Sequence, residues 1–282
     1  MRNLLIISFL CLGSVMTSAQ LHLGFNGGLT FSSLQGELED GESYGTLSGF
    51  QISVRGTYDL NDWFAIGAGV GYVQKGTQKE YTGNSYFRLP RPGGSSFFFL
   101  GERQEDVRIN TDHIEIPILF QFTPFKKVQL YAGPYVSFTV GARGAGRVRF
   151  REQSFNQEGW QFETAIQSSF FRDEGGFERE ENAEIISVAG ESVLLPETLG
   201  AYFERDNVSK SLYKPIDYGL HGGINLFVTS GFYFNGNISY GLNDITRNDI
   251  DISLENFNGG DFVNRDDFDR FLVYSLSIGF AF

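Results

Sequence analysis

The sequence predicts an all-β fold: an eight-stranded antiparallel up-and-down transmembrane β-barrel with long extracellular loops. Three observations carry the prediction. Eight segments alternate between an apolar and a small or polar set of residues. The connections between them alternate short and long. One of the two faces carries no charge. The composition agrees, with 29 Phe, 13 Tyr and 35 Gly in 282 residues: aromatic side chains suit pleated strands, and the period of two excludes long amphipathic helices.

The segments run as follows. Residues 21–32 and 49–60 set Leu and Phe against Gly, Ser, Thr, His22, Arg55 and Asp59. In 63–74, Phe64, Ile66, Ala68, Val70 and Tyr72 oppose Ala65, Gly67, Gly69 and Gly71. In 113–123 the apolar set is Ile114, Ile116, Ile118, Phe120 and Phe122, with His113 and Glu115 opposite. Segments 128–140 and 216–228 follow, the latter with Asp217 and His221 on the small face. In 232–243, Phe232, Phe234, Ile238, Tyr240 and Leu242 oppose Tyr233, Asn235, Asn237, Ser239 and Asn243. In 271–282, Leu272, Tyr274, Leu276, Ile278, Phe280 and Phe282 oppose Ser275, Ser277, Gly279 and Ala281. Pro117 and Pro134 fall inside strands and predict a local gap or bulge in the ladder, because proline has no N–H to donate.

Three connections are short: 61–62, 124–127 and 229–231. Four are long: roughly 33–48, 75–112, 141–215 and 244–270. Tight periplasmic turns and long outer loops give this pattern, and strands of about 11 residues suit a tilted crossing of the bilayer. Charge assigns the faces. The eight segments hold only Arg55, Asp59, Glu115 and Asp217 as charged residues, all on the small face. A charge on the lipid face at mid-depth costs about 2–4 kcal/mol, so the apolar face is expected outward and the small face inward, where it fills a narrow eight-strand lumen. Aromatics near the short turns (Tyr58, Trp63, Phe64, Phe125) and near the long loops (Phe31, Phe50, Tyr72, Phe138) fit two interfacial belts.

Residues 1–19 read as a signal peptide: Arg2, an apolar run from Leu4 to Val15, then small residues up to Ala19. The only cysteine, Cys11, lies in this segment, which leaves residues 20–282, the barrel domain, without disulfide or thiol chemistry. The net charge of −12 argues against nucleic acid. No nucleophile elbow, phosphate loop or zinc-helix motif is present, and no enzyme activity, cofactor or metal is expected. "GAGVG" at 67–71 is the inner face of a strand.

The stretches "GFNGGLTFSSL" (24–34), "HIEIPILFQF" (113–122), "LYAGPYVSFTVGAR" (130–143), "DYGLHGGINL" (217–226), "NISYGLNDI" (237–245) and "YSLSIGFAF" (274–282) resemble the PorT-like, "porin family" outer-membrane barrels of Bacteroidetes-type bacteria. "IEIP" followed by "AGPY" is the most specific part. The resemblance implies outer-membrane location and a small antiparallel barrel; one branch of that family is tied to protein secretion. No family motif covers the large loop 141–215, for which hairpins are expected, "RVRFREQSF" pairing with residues 159–171.

Four groups of residues stand out. Arg55, His113, Glu115, Asp217 and His221 form an inward polar set. It reads first as an ion-pair and hydrogen-bond plug with Arg55 pairing the carboxylates, and alternatively as a metal or proton site. Arg143, Arg147, Arg149 and Arg151 share one parity. They are expected on the inner side of a strand continued above the membrane, either in loop-to-loop ion pairs or in contact with lipopolysaccharide phosphates or another anion. Asp249, Asp251, Asp261, Asp266, Asp267 and Asp269 lack a twelve-residue calcium-loop pattern, and a solvated acidic loop is favoured over a Ca²⁺ site. Tyr274, Phe280 and Phe282 resemble the terminal signal read by barrel-assembly machinery.

The functional expectation is an outer-membrane protein with a side-chain-filled lumen, acting as a surface binding or structural envelope protein through its extracellular loops. Its expected partners are outer-membrane lipid and lipopolysaccharide, the assembly machinery, and an unidentified protein or ligand on loop 141–215. The alternative is a narrow transport pore or a secretion-associated barrel. A membrane-embedded lipid enzyme, which needs an apolar lumen pocket, fits the polar lumen poorly.

Overall fold

The computed structural model describes residues 21–176, 183–258 and 261–282; the expected signal peptide lies outside them. Fourteen strands occur among these residues: β1 (Leu21–Gln35), β2 (Glu42–Asp59), β3 (Phe64–Pro90), β4 (Ser96–Phe125), β5 (Val128–Glu152), β6 (Phe162–Ser169), β7 (Glu184–Val188), β8 (Glu191–Leu195), β9 (Thr198–Leu199), β10 (Ile216–Phe227), β11 (Phe232–Gly241), β12 (Ile252–Asn258), β13 (Asp261–Asn264) and β14 (Arg270–Ala281). Eight of them, β1–β5, β10, β11 and β14, coincide with the eight segments read from sequence. They form a closed antiparallel ring sealed by β5 on β10 and by β14 on β1. The last strand runs from Gln35↔Arg270 to Gly24↔Ala281, so the chain ends beside its first described strand.

Apolar side chains point outward all round the ring. Phe25, Leu29, Ile52, Val54, Val70, Ile118, Phe120, Leu276 and Ile278 are all exposed. Inside, glycines on one strand receive tyrosines from its neighbour. A Cβ at Gly279 would come within 2.2 Å of the Tyr233 ring, and one at Gly223 within 2.6 Å of the Tyr131 hydroxyl. These contacts pack bulky phenols into a lumen too narrow for large residues on every strand.

Three strands run far beyond the bilayer. β3, β4 and β5 have 27, 30 and 25 residues, against the 9–11 that a crossing needs. Their outer parts pair with one another and with β6, from Arg143↔Ser169 to Phe150↔Phe162. This is the hairpin expected in the 141–215 region. Together with β7–β9, β12 and β13 they build an extracellular cap with its own apolar core, which includes Phe87, Leu89, Phe99, Val148, Phe150, Phe162, Phe203 and Tyr213.

A bulge separates the two regimes. β4 and β5 pair Asp112↔Gly141 and then His113↔Thr139, which leaves Val140 without a partner. One extra residue reverses the facing of everything beyond it. Below Val140 the inward residues of β5 are Tyr131, Tyr135 and Ser137; above it they are Ala142, Val148 and Phe150. Arg143, Arg147, Arg149 and Arg151 therefore face outward. This corrects the expectation of an inward ladder, which extrapolated one parity through the bulge. The proline effect also appears. The β4–β5 ladder skips Ile118–Leu119 opposite Gly133–Pro134 and resumes in the same register at Phe120↔Ala132.

Candidate functional site: a sealed lumen and a charged cap

The lumen is polar and layered. At the periplasmic end a cavity of about 480 Å³ is lined by His22, Arg55, Asp59, Gln121, Asn225 and Tyr233, among others. His22 ties the mouth together, with its Nε2 3.0 Å from Asp59 Oδ2 and its Nδ1 3.1 Å from the Phe282 carbonyl oxygen. Above the cavity, Asn235 Nδ2 donates to Tyr131 Oη and Asn225 Oδ1, each at 2.7 Å. Ser277 donates to Asn235 Oδ1 at 3.2 Å.

The seal is Lys75. Its Nζ lies 2.8 Å from Asp217 Oδ2 and 3.3 Å from Glu115 Oε2, and the side chain is 1% exposed. It sits 4.6 Å above the Tyr135 ring centre, and the Tyr135 hydroxyl donates to the same Asp217 oxygen at 3.4 Å. Charges from β3, β4 and β10 thus meet across the lumen. A buried ion pair needs such additional partners to offset desolvation.

The predicted inward set is only partly assembled. Glu115 and Asp217 come together, but their cation is Lys75 and not Arg55. Among the described residues Arg55 makes no ion pair. Its guanidinium lies 5.4 Å from the Tyr131 ring centre, and its Nε is buried without a hydrogen-bond partner. Lys75 was missed because the 63–74 segment ends one residue before it, although its odd number continues the inward parity of that segment. His113 is held by neutral hydroxyls, with Nε2 2.8 Å from Thr111 Oγ1 and Nδ1 3.1 Å from Ser137 Oγ. His221 packs against the Tyr131 and Tyr135 rings, and its Nε2 has no hydrogen-bond partner. The two histidines and two carboxylates do not converge on a point, so the alternative metal reading of this set has no geometric basis. A space of only about 30 Å³ remains between Arg55, Lys75, Glu115 and His221, about one water in size. Further out, Phe271, Val273 and Leu34 close the interior with apolar side chains.

The cap holds its own buried charges. Arg103, wholly inside, bonds Glu105 at 2.6 Å and Glu204 at 2.8 Å. Arg265 places Nη1 2.9 Å from Glu42 and Nη2 2.7 Å from Asp267, while Lys79 lies 3.1 Å from Glu42. Asp251, Asp267 and Asp269 bring carboxylate oxygens within 4.8 Å of one another. The solvated acidic loop expected for 244–270 is corrected here: half of its six aspartates turn into the cap, drawn by Arg265 and Lys79. Burial, then the charges of Asp267 and Asp251, push Asp269 up to about 7. Burial likewise pushes Asp251 up to about 6, against the pull of Lys79 and Arg265. Burial acts against ionisation of Glu42 as well, but Lys79 and Arg265 outweigh it and hold that carboxyl down at about 2.

On the outside of the cap the arginine ladder is largely engaged. Arg147 and Arg149 share Glu163, at 3.3 and 2.6 Å, and Arg151 pairs with Glu102. Arg143, nearest the membrane, reaches Asp112 with one nitrogen at 3.0 Å. Tyr274, in the outer half of β14, and Phe280 and Phe282, at its periplasmic end, all face outward, and the Phe282 amide donates to the Leu23 carbonyl at 2.8 Å.

Comparison with known proteins gives one sequence-level finding. The family model described as "Outer membrane protein beta-barrel domain" matches residues 17–247. No protein of curated function matches the chain in sequence. Among solved structures, Ail of Yersinia pestis in complex with the heparin analogue sucrose octasulfate is 8% identical, with a TM-score of 0.36, over 93% of this chain and 99% of that one. Neisserial surface protein A is 12% identical, with a TM-score of 0.34, over 92% and 96%. OprG from Pseudomonas aeruginosa is 12% identical, with a TM-score of 0.35, over 93% and 95%. Likenesses at this level carry no functional argument.

Proposed function

The chain belongs to the family of outer membrane protein β-barrel domains, and from that premise we propose that it is a closed surface barrel that acts through its extracellular cap. The membrane-spanning ring is the anchor. The binding or structural role in the envelope belongs to the cap built from β3–β9, β12 and β13. The observation that carries this reading is the Lys75–Asp217–Glu115 seal, with Tyr135 beneath it and the apolar layer of Phe271 and Val273 above. A solute-conducting lumen would have to break a buried ion pair and then cross a packed apolar core.

Among the described residues no reacting constellation supports an enzyme. Placement among PorT-like barrels remains a proposal resting on "IEIP" and "AGPY", as does the role of Tyr274, Phe280 and Phe282 in assembly. The reading is tested by single-channel recording in planar bilayers. The wild-type protein is expected to give no stable conducting steps. Regular steps from the wild type would overturn the reading in favour of a narrow pore.

A further inference from the structure

We propose that Arg108 and Arg143 form a clasp for the phosphate of an outer-leaflet glycolipid. The inference rests on the cap lying outside the membrane, and it deepens that reading by naming a lipid partner.

Four observations converge on it. The bulge at Val140 turns Arg143 to the outer surface of the ring. Val140, 60% exposed, is the last large apolar outward residue of β5, so Arg143 lies about 10 Å of strand beyond the lipid-facing band. That is the level at which lipid phosphates begin. The register pairs Arg143 with Asn110 and Arg108 with Ala145, which makes the two arginines diagonal neighbours on one face, about 7–8 Å apart at their backbones. The small Ala145 between them leaves the gap open.

The donors are also available. Arg143 uses one nitrogen on Asp112 and its side chain is still 74% exposed; a guanidinium has five N–H donors in a fixed fork. Asp112 is shared with the hydroxyl of Tyr72 and the amide of Gln74. Arg108 is exposed and, among the described residues, has no ion pair. Its outward neighbour Asp106 accepts instead from Gln78 Nε2 at 3.0 Å. The upper arginines differ, because each is matched by Glu163 or Glu102. Two guanidiniums converging on one phosphate give the strong, charge-assisted geometry that oxyanions select. Continuity with the lipid face makes a membrane lipid the source of that phosphate.

The test uses the full-length protein folded in detergent, with diphosphoryl lipid A as the probe and native mass spectrometry as the readout. Heat-dependent gel migration confirms in each variant that the barrel is folded; a wild type without this shift would fail the barrel reading itself. R108S/R143S should lower retained lipid A by about tenfold, as loss of charge-assisted contacts implies, while R147S/R149S should retain it as wild type does. Fully dephosphorylated lipid A should bind wild type no better than it binds R108S/R143S. The proposal is overturned if R108S/R143S retains lipid A like wild type, or if dephosphorylated lipid binds equally well. Displacement of lipid A by millimolar inorganic phosphate would also overturn it, since the site would then read a free anion and not a lipid.

Discussion

The same three strands, β3, β4 and β5, obey opposite rules in their two halves. Within the membrane their outward residues are Val70, Ile118 and Val136 and their inward ones are Gly71, Glu115 and Ser137; in the cap the outward residues are Glu80, Asp106 and Arg147 and the inward ones are Tyr81, Val107 and Phe150. The solvent explains the reversal. Lipid makes an apolar exterior favourable and leaves the lumen for groups that satisfy one another. Water outside the cap restores the ordinary hydrophobic driving force toward an apolar centre. On β3 and β4 the chain changes residue types at fixed parity. On β5 it also changes parity, at Val140.

The largest effect should come from inserting one residue between Ala142 and Arg143. With the Val140 bulge kept, the insertion would reverse the facing of the outer part of β5 and drive Arg143, Arg147, Arg149 and Arg151 toward the cap core, at several kcal/mol for each unpaired buried charge. Limited proteolysis is expected to degrade the cap while the membrane-embedded ring survives. A cap as resistant as wild type would contradict the outward facing assigned to these arginines.

Next in size is Lys75→Met, which keeps the bulk but leaves Asp217 and Glu115 buried without their cation. A loss of about 3–5 kcal/mol is expected, read from urea unfolding in vesicles. Lys75→Met with Asp217→Asn and Glu115→Gln should recover most of it. Smaller still is Gly279→Leu, which intrudes on the Tyr233 ring and should cost about 1–3 kcal/mol by overpacking. The companion change Tyr233→Ala should relieve it.

The smallest expected effect is a pH dependence confined to the cap. Asp269 and Asp251 bind their protons more tightly when folded than when unfolded, at about 7 and about 6. Their ionisation therefore opposes folding, and the penalty grows as pH rises from about 4 to about 7. Glu42 has the opposite sign, and its contribution is lost only as pH falls from its ordinary value toward about 2. Hydrogen-exchange protection in 244–258, corrected for the intrinsic pH dependence of exchange, should be greater at pH 5 than at pH 8, and Asp269→Asn should reduce the difference. An unchanged difference would remove Asp269 as its source.

The ring was legible because a period of two with charge confined to one face has few solutions. All eight strands and the closing pair follow from it. What escaped was what parity cannot carry. Val140 is an ordinary strand residue, and nothing local marks it as a bulge. Lys75 lay one position beyond the segment assigned to its strand. Arg265 pairs with Asp267 and also with Glu42, and the latter is a contact between opposite ends of the sequence. Cap residues such as Phe87, Phe162 and Phe203 converge from positions far apart in the sequence, and no short-range pattern announces that convergence.

The reversal at Val140 can be read directly by single-cysteine scanning along β5, because the only native cysteine is Cys11. Cysteines at 134, 136, 138 and 140 should react with a lipid-soluble maleimide and resist a charged one. Beyond the bulge, positions 143, 145, 147 and 149 should react with the charged reagent, and 142, 144, 148 and 150 with neither. Reactivity that stayed on even positions through 150 would contradict the account.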